Sequence, residues 1–298
     1  KFLEFLNKNG FYMPDKTFST FGSTPNELNL ILNMDYPISS GWVSDAYQDL
    51  KTNKVMSTFS DQNYSVIETN SAMRWKDFSD VDTHLCYDVD FINSEFLDQV
   101  LRKSIIKYFM EQHQTDTRRD MVRCTFNELN EIALQSNGPT YVFAHLYVPH
   151  PPFIFGPNGE NVTPDHSEIS GLQSWENPQG YLNQLIYATS EISVVITNIV
   201  ENDPNAIIIL QGDTGTLTGT DLSTTTIKDI YQSHSILYAV RMPDVNNFEN
   251  AIPVNTYRII FNNYFDMNYE YLEHRIYMAN ENDELKNVTK TIYEYRFG

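Results

Sequence analysis

Basic residues are scarce in this chain: 20 Lys and Arg face 39 Asp and Glu, a formal charge of −19 over 298 residues. So acidic a surface repels phosphate backbones, which excludes nucleic acid as a partner, and it disfavours adhesion to an anionic bilayer. A substrate bearing phosphate or sulfate would need a cation to offset that repulsion locally. Cysteine is scarcer still. Only Cys86 and Cys124 occur, with no Cys-x-x-Cys, so a zinc ribbon cannot be built. The two can form one disulfide in an exported domain or stand as two buried thiols, and the sequence leaves both open. No apolar run approaches the ~20 residues of a membrane span, and no signal peptide is visible. Neither His-Glu-x-x-His nor Gly-x-Ser-x-Gly is present, which removes zinc peptidase and serine hydrolase readings. No internal repeat is apparent.

What is present is a folded, aromatic-rich chain: 41% hydrophobic residues, with 19 Tyr and 18 Phe. It starts abruptly. Residues 1–7 read as the last turns of an amphipathic helix stopped by Asn9-Gly10, as in a fragment whose upstream part is missing.

The pattern that follows alternates extended and helical segments. Residues 11–18 read as extended. Ser23 or Thr24 caps a helix to about Met34, with Pro25 at its first position. Glu27, three residues after Thr24, completes a capping box. Helices are expected over 45–59, 95–114, 116–135, 180–202 and 255–265. Strands are expected over 64–68, 141–148, 206–211 and 235–242, the second reading as buried on both faces. Residues 70–90 read as irregular, 149–178 as a long loop of the functional kind, and the tail after 265 as polar. Strands alternating with helices imply a largely parallel sheet covered on both faces.

Several segments, in order, resemble the sulfatase-like family of the alkaline phosphatase superfamily. They are Asn9-Gly-Phe-Tyr-Met-Pro-Asp-Lys16 with Thr24 and Leu32-Asn-Met34; Gly138 onward with Phe143-Ala-His145 and Pro149-His-Pro-Pro-Phe153; the strand ending in Asp213 and Gly215; and Ser235-Ile-Leu-Tyr-Ala239 with Pro253-Val-Asn-Thr-Tyr-Arg258. Each piece alone is weak, and their order is the specific part. The family includes sulfatases, lipoteichoic acid synthases and phosphoethanolamine transferases. The resemblance implies an α/β fold: an alkaline phosphatase-like three-layer sandwich with a mostly parallel central sheet and helices on both faces. It implies one extracytoplasmic domain over 1–298, anchored to a membrane through the missing upstream segment.

The resemblance also assigns roles. Thr24 falls at the family's hydroxyl nucleophile and metal-contacting position, at a helix N-terminus that suits a phosphoryl or sulfuryl group. Asp213 ends a buried strand, where α/β sheets place ligand groups, and matches a metal-ligand position. His150 matches a position that contacts the transferred group. His145, five residues back, would face the opposite side of a continuous strand and reads as a core or supporting group. His234 could donate a substitute ligand, although a surface histidine is the plainer reading.

One departure matters. The family's Asp-His-Gly turn is Asp213-Thr214-Gly215 here, and a neutral hydroxyl is a far weaker metal donor than imidazole. Another acidic ligand of the family would lie upstream of Lys1. Two readings stand. The first is a hydrolase or transferase of envelope phosphate or sulfate esters, dependent on a divalent metal (manganese, zinc or calcium). The alternative is an inactive relative without metal, serving as a binding or scaffold module.

Overall fold

A computed structural model of the chain describes residues 1–37, 44–70, 78–86, 107–135, 138–164, 172–218, 226–279 and 285–295. The chain divides into two compact units. One comprises Lys1–Tyr64, Asp77–Asp80 and Asp203–Gly298, and the other Ser65–Lys76 and Val81–Asn202.

In the second unit three parallel strands lie in the order β2-β1-β3: β1 Ser65–Asn70, β2 Thr83–Leu85 and β3 Thr140–His145. The β1–β3 register runs from Ser65↔Thr140 to Asn70↔His145. β2 falls in the stretch expected to be irregular. β3 stops at His145, shorter than expected, and most of its residues are only half buried.

Two long helices, Lys107–Gln135 and Pro178–Asn202, pack beside each other in this unit. The helices expected over 95–114 and 116–135 share one continuous helix from Lys107 on. The expectation for 95–106 lies outside the described residues. Val122, Phe126, Ile154, Phe155, Tyr187 and Val195 form the core between helices and loop. Buried Arg119 fixes that loop, its Nε donating to the Ile154 carbonyl at 3.1 Å and its Nη2 to the Val162 carbonyl. Cys86 and Cys124 are joined in a disulfide that ties the residue after β2 to the Lys107–Gln135 helix.

In the first unit β4 Ile208–Gln211 runs antiparallel to β5 Tyr238–Arg241, with Gln211 opposite Tyr238. The expectation of a largely parallel sheet gave no direction for this pair. The Ile227–His234 helix returns the chain to the sheet at the end from which β4 leaves. β5 is central, because Val240 pairs with Ile209 on one side and with Tyr12 on the other. The ladder continues past β4. The Gly212 N–H donates to the Leu237 carbonyl at 2.8 Å and the Gly215 N–H to the Ser233 carbonyl at 2.7 Å.

The Thr24–Asn33 helix buries Asn26 through Leu32 without a polar face, which is how a helix enclosed on all sides reads. It ends at Met34, whose positive φ of 57° closes the last turn, and Arg258 Nε donates to the freed Met34 carbonyl at 2.9 Å. The helix expected over 45–59 is two, Ser44–Lys51 and Lys54–Asp61. Asn53 Oδ1 accepts from the Met56 N–H at 2.9 Å, so a side chain starts a new helix there.

The polar tail is structured as well. Strands β6 Tyr277–Ala279 and β7 Leu285–Asn287 pair, the Thr289–Glu294 helix follows, and Ile276, Val288 and Ile292 build a core with Phe18. Among the described residues no helix is long and apolar enough to cross a membrane.

Candidate functional site

The site grows from two places in the first unit that are distant in sequence. One is the start of the Thr24–Asn33 helix. Ser23 occupies the cap position in extended conformation but makes no side-chain cap bond, and Pro25, in the first turn, has no N–H. The N–H groups of Thr24 and Asn26 therefore lack an intrahelical acceptor and remain available to an anion. The other place is the turn after β4, where Gly212-Asp213-Thr214-Gly215 carries the chain past the Ser233–Ser235 segment. A Cβ on Gly215 would lie 2.1 Å from the Gln232 carbonyl oxygen, so no larger residue fits this approach.

These two places meet. The Thr24 hydroxyl donates a hydrogen bond to Asp213 Oδ2, across 189 residues of sequence. Thr24 is thus no helix cap, and the capping-box reading fails in both halves. Glu27 does not reach back to the cap. Its Oε2 instead accepts from the N–H groups of Thr20 at 2.8 Å and Phe21 at 3.1 Å. Glu27 is fully buried, and its Oε1 has no hydrogen-bond partner. Burial pushes its carboxyl up to about 8; the two N–H donors oppose this, and the nearby charge of Asp213 adds to it. Glu27 is the residue that sequence reasoning missed, because Thr-x-x-Glu before an apolar run is already explained as a cap.

His234 is not a surface residue. It ends the Ile227–His234 helix, buried, with Nδ1 2.9 Å from the Ile230 carbonyl oxygen and Nε2 3.3 Å from that of Tyr277. Both ring nitrogens face the chain, and burial lowers its pKa. A Cβ on Gly22, which has a positive φ of 58°, would lie 3.1 Å from the His234 ring, so glycine serves both the conformation and the fit.

His145 and His150 belong to the second unit. His145 closes β3 opposite Asn70. Strand alternation does not relate it to His150, because the strand ends at His145 and a turn follows. His150 is exposed at the mouth of that turn, its N–H bonded to the Tyr147 carbonyl at 2.9 Å and its Nδ1 facing the Pro151 carbonyl oxygen. Its ring lies 4.7 Å from Tyr147 and 5.0 Å from Trp175, and Gln184 Nε2 donates to its carbonyl at 2.9 Å.

Among the described residues no three His, Cys, Asp or Glu side chains are grouped to hold a metal ion. Thr24, Asp213 and Glu27 offer oxygen alone. That set does not fit a structural zinc site, which takes four strong donors.

No family model matches the sequence, and no curated protein matches it. Solved structures do. The C-terminal periplasmic domain of EcEptC from Escherichia coli, in its complex with zinc, superposes with a TM-score of 0.61 at 11% identity, covering 96% of this chain and 84% of that one. The lipoteichoic acid synthase LtaP from Listeria monocytogenes superposes at 0.50 and 16% identity, covering 83% of this chain and 61% of that one. With its parallel three-stranded sheet and flanking helices, the chain shares the α/β fold of these two domains.

Proposed function

We propose that the chain is one catalytic-type domain that transfers or hydrolyses phosphate or sulfate esters of the cell envelope, with Thr24 as nucleophile. The observation that carries this reading is the hydrogen bond from Thr24 to Asp213 at an uncapped helix N-terminus. Asp213 accepts the hydroxyl proton as Thr24 Oγ1 forms a bond to phosphorus or sulfur. The ester bond to the leaving alcohol breaks, and the alcohol takes up a proton. Water or an acceptor alcohol then cleaves the Thr24 ester and restores the hydroxyl. The N–H groups of the first helical turn stabilise charge on the non-bridging oxygens. A divalent cation held by Asp213 and Thr24 would offset the negative charge that this acidic chain otherwise presents.

Support for an envelope substrate and an extracytoplasmic location comes from the likeness to a periplasmic domain and to a lipoteichoic acid synthase. The disulfide agrees, since such bonds persist in oxidising compartments. Coverage of 96% of the chain by one periplasmic domain supports reading 1–298 as a single functional domain.

Turnover of aryl phosphate, phosphodiester and sulfate esters with magnesium, manganese, calcium or zinc tests the proposal. Thr24→Ala should reduce turnover to background, and Asp213→Asn should slow it roughly 100- to 10,000-fold, with melting temperatures unchanged. Turnover that survives Thr24→Ala would sink it.

Thr214 favours a second reading, a binding or scaffold module that keeps the fold without turnover. It predicts no activity with any metal and no affinity for a divalent ion.

A further inference from the structure

Away from Asp213, the first unit carries a cavity of about 280 Å³ whose lining includes four asparagines, Asn246, Asn247, Asn250 and Asn263. Tyr271, 41% exposed, stands at its edge, and buried Ile259 supplies an apolar base. The cavity lies off the far end of the β4–β5 pair. Asp213 follows Gln211, opposite Tyr238, whereas the cavity loop follows Arg241, opposite Ile208, roughly 10 Å of strand away. A buried amide holds the walls. Asn255 Nδ2 donates to the Asn250 carbonyl at 3.2 Å and to the Leu272 carbonyl at 2.9 Å, and its Oδ1 accepts from the Leu272 N–H at 2.9 Å. One side chain thus fixes the 245–250 loop against the segment carrying Tyr271. Phe248 stacks on Tyr12 with ring centroids 4.6 Å apart, and the Tyr264 hydroxyl, at the end of the Thr256–Tyr264 helix, donates to the Pro243 carbonyl. The loop is held on both sides, so its walls are set before a ligand arrives and little ordering cost remains.

The lining decides what fits. An asparagine amide has two N–H donors and two acceptor lone pairs. Asn247 Oδ1 accepts from the Glu249 N–H at 2.9 Å, and Asn263 Nδ2 donates to the Ile259 carbonyl at 2.8 Å, which leaves donors on the first and acceptors on the second. Amides in both roles match a ligand whose own groups donate and accept alike, as hydroxyls do. Among the described residues no charged side chain lines the cavity, and Asp244 and Glu249 on the same loop repel an anion. Tyr271 adds an aromatic face, whose negative π-surface attracts the polarised C–H groups of a sugar ring. The volume stands at the lower end of the ~300–1,000 Å³ typical of small-molecule sites, the size for a single ring. We propose that this cavity binds one neutral pyranose, free or as a unit of a glycan chain, at a site separate from Thr24 and Asp213. The inference is independent of the transfer reading.

Titrating the isotope-labelled intact chain with methyl glycosides of glucose, galactose, mannose and N-acetylglucosamine tests it by nuclear magnetic resonance. At least one should saturably shift the side-chain amides of Asn246, Asn247, Asn250 and Asn263, with a Kd on the order of 1 mM, as expected of so small a ligand. Tyr271→Ala should weaken binding by about 10-fold, the loss of one aromatic contact. Asn246→Ala, at an exposed position, gives a second variant should the first fail to fold. Tighter binding of an oligosaccharide of the same hexose assigns the site to a glycan chain, and equal affinity assigns it to a single sugar; both support a pyranose site. Shifts caused by inorganic phosphate or sulfate instead of the glycosides, no shift with any glycoside, or unchanged affinity in the two variants overturns the inference. None of these results touches the Thr24–Asp213 reading, which Thr24→Ala decides by turnover.

Discussion

A threonine at the first position of a buried helix is usually explained by its backbone, but Thr24 is explained by a carboxylate 189 residues away. Order along the chain had singled out Thr24 and Asp213 by a resemblance, and the hydrogen bond joins these two side chains. Glu27 was not legible, since its local pattern has a complete alternative meaning that only the direction of its side chain removes. His234 was misread for a similar reason: nothing local marks a histidine ending a helix as buried. Thr214→His should add zinc affinity to the site, measurable by competition with a chromogenic chelator; unchanged affinity would argue that this turn cannot present a ligand. His274 gives a pH prediction. Its Nδ1 lies 2.8 Å from the Tyr293 hydroxyl, and burial holds its pKa down to about 4, opposed by the Phe18 backbone and aided by His234. Above pH 6.5 both folded and unfolded chains hold it neutral. As pH falls from 6.5 to 4 only the unfolded chain takes the proton, so stability drops by up to about 1.4 kcal/mol per unit. Melting curves across that window should fall more steeply for wild type than for His274→Gln, and parallel curves would refute the assignment.

Among the elements, those with strong periodicity or an uninterrupted apolar run were found close to where the sequence places them, as with β1, β4 and the Pro178–Asn202 helix. The misses share a cause. β2, β6 and β7 have three residues each, too few for alternation to register, and their pairing is decided by neighbours distant in sequence. The break at Asn53 was missed because apolar spacing continues across it while the side chain caps a new start. Asn53→Ala should cost about 1 kcal/mol, read from urea denaturation. Gly215→Ala should cost more, about 3 kcal/mol, because the added carbon meets backbone rather than a movable side chain. A stable Gly215→Ala variant with an intact ladder would contradict the described approach.

For the whole molecule, the α/β alternation was enough to give the fold class, while the antiparallel β4–β5 pair was hidden because periodicity carries no strand direction. The disulfide closes a separation of 38 residues, which by chain entropy is worth about 4 kcal/mol. Reduction should therefore lower the melting temperature, and Cys86→Ser with Cys124→Ser should reproduce the loss without added reductant. Unchanged melting on reduction would exclude a stabilising role. The first unit is discontinuous, its two main parts separated by the whole of the second. During synthesis at roughly 5–20 residues per second, Thr24 leaves the ribosome tens of seconds before Asp213 exists. Thr24 is thus without its partner carboxylate on the nascent chain until Asp213 has been added.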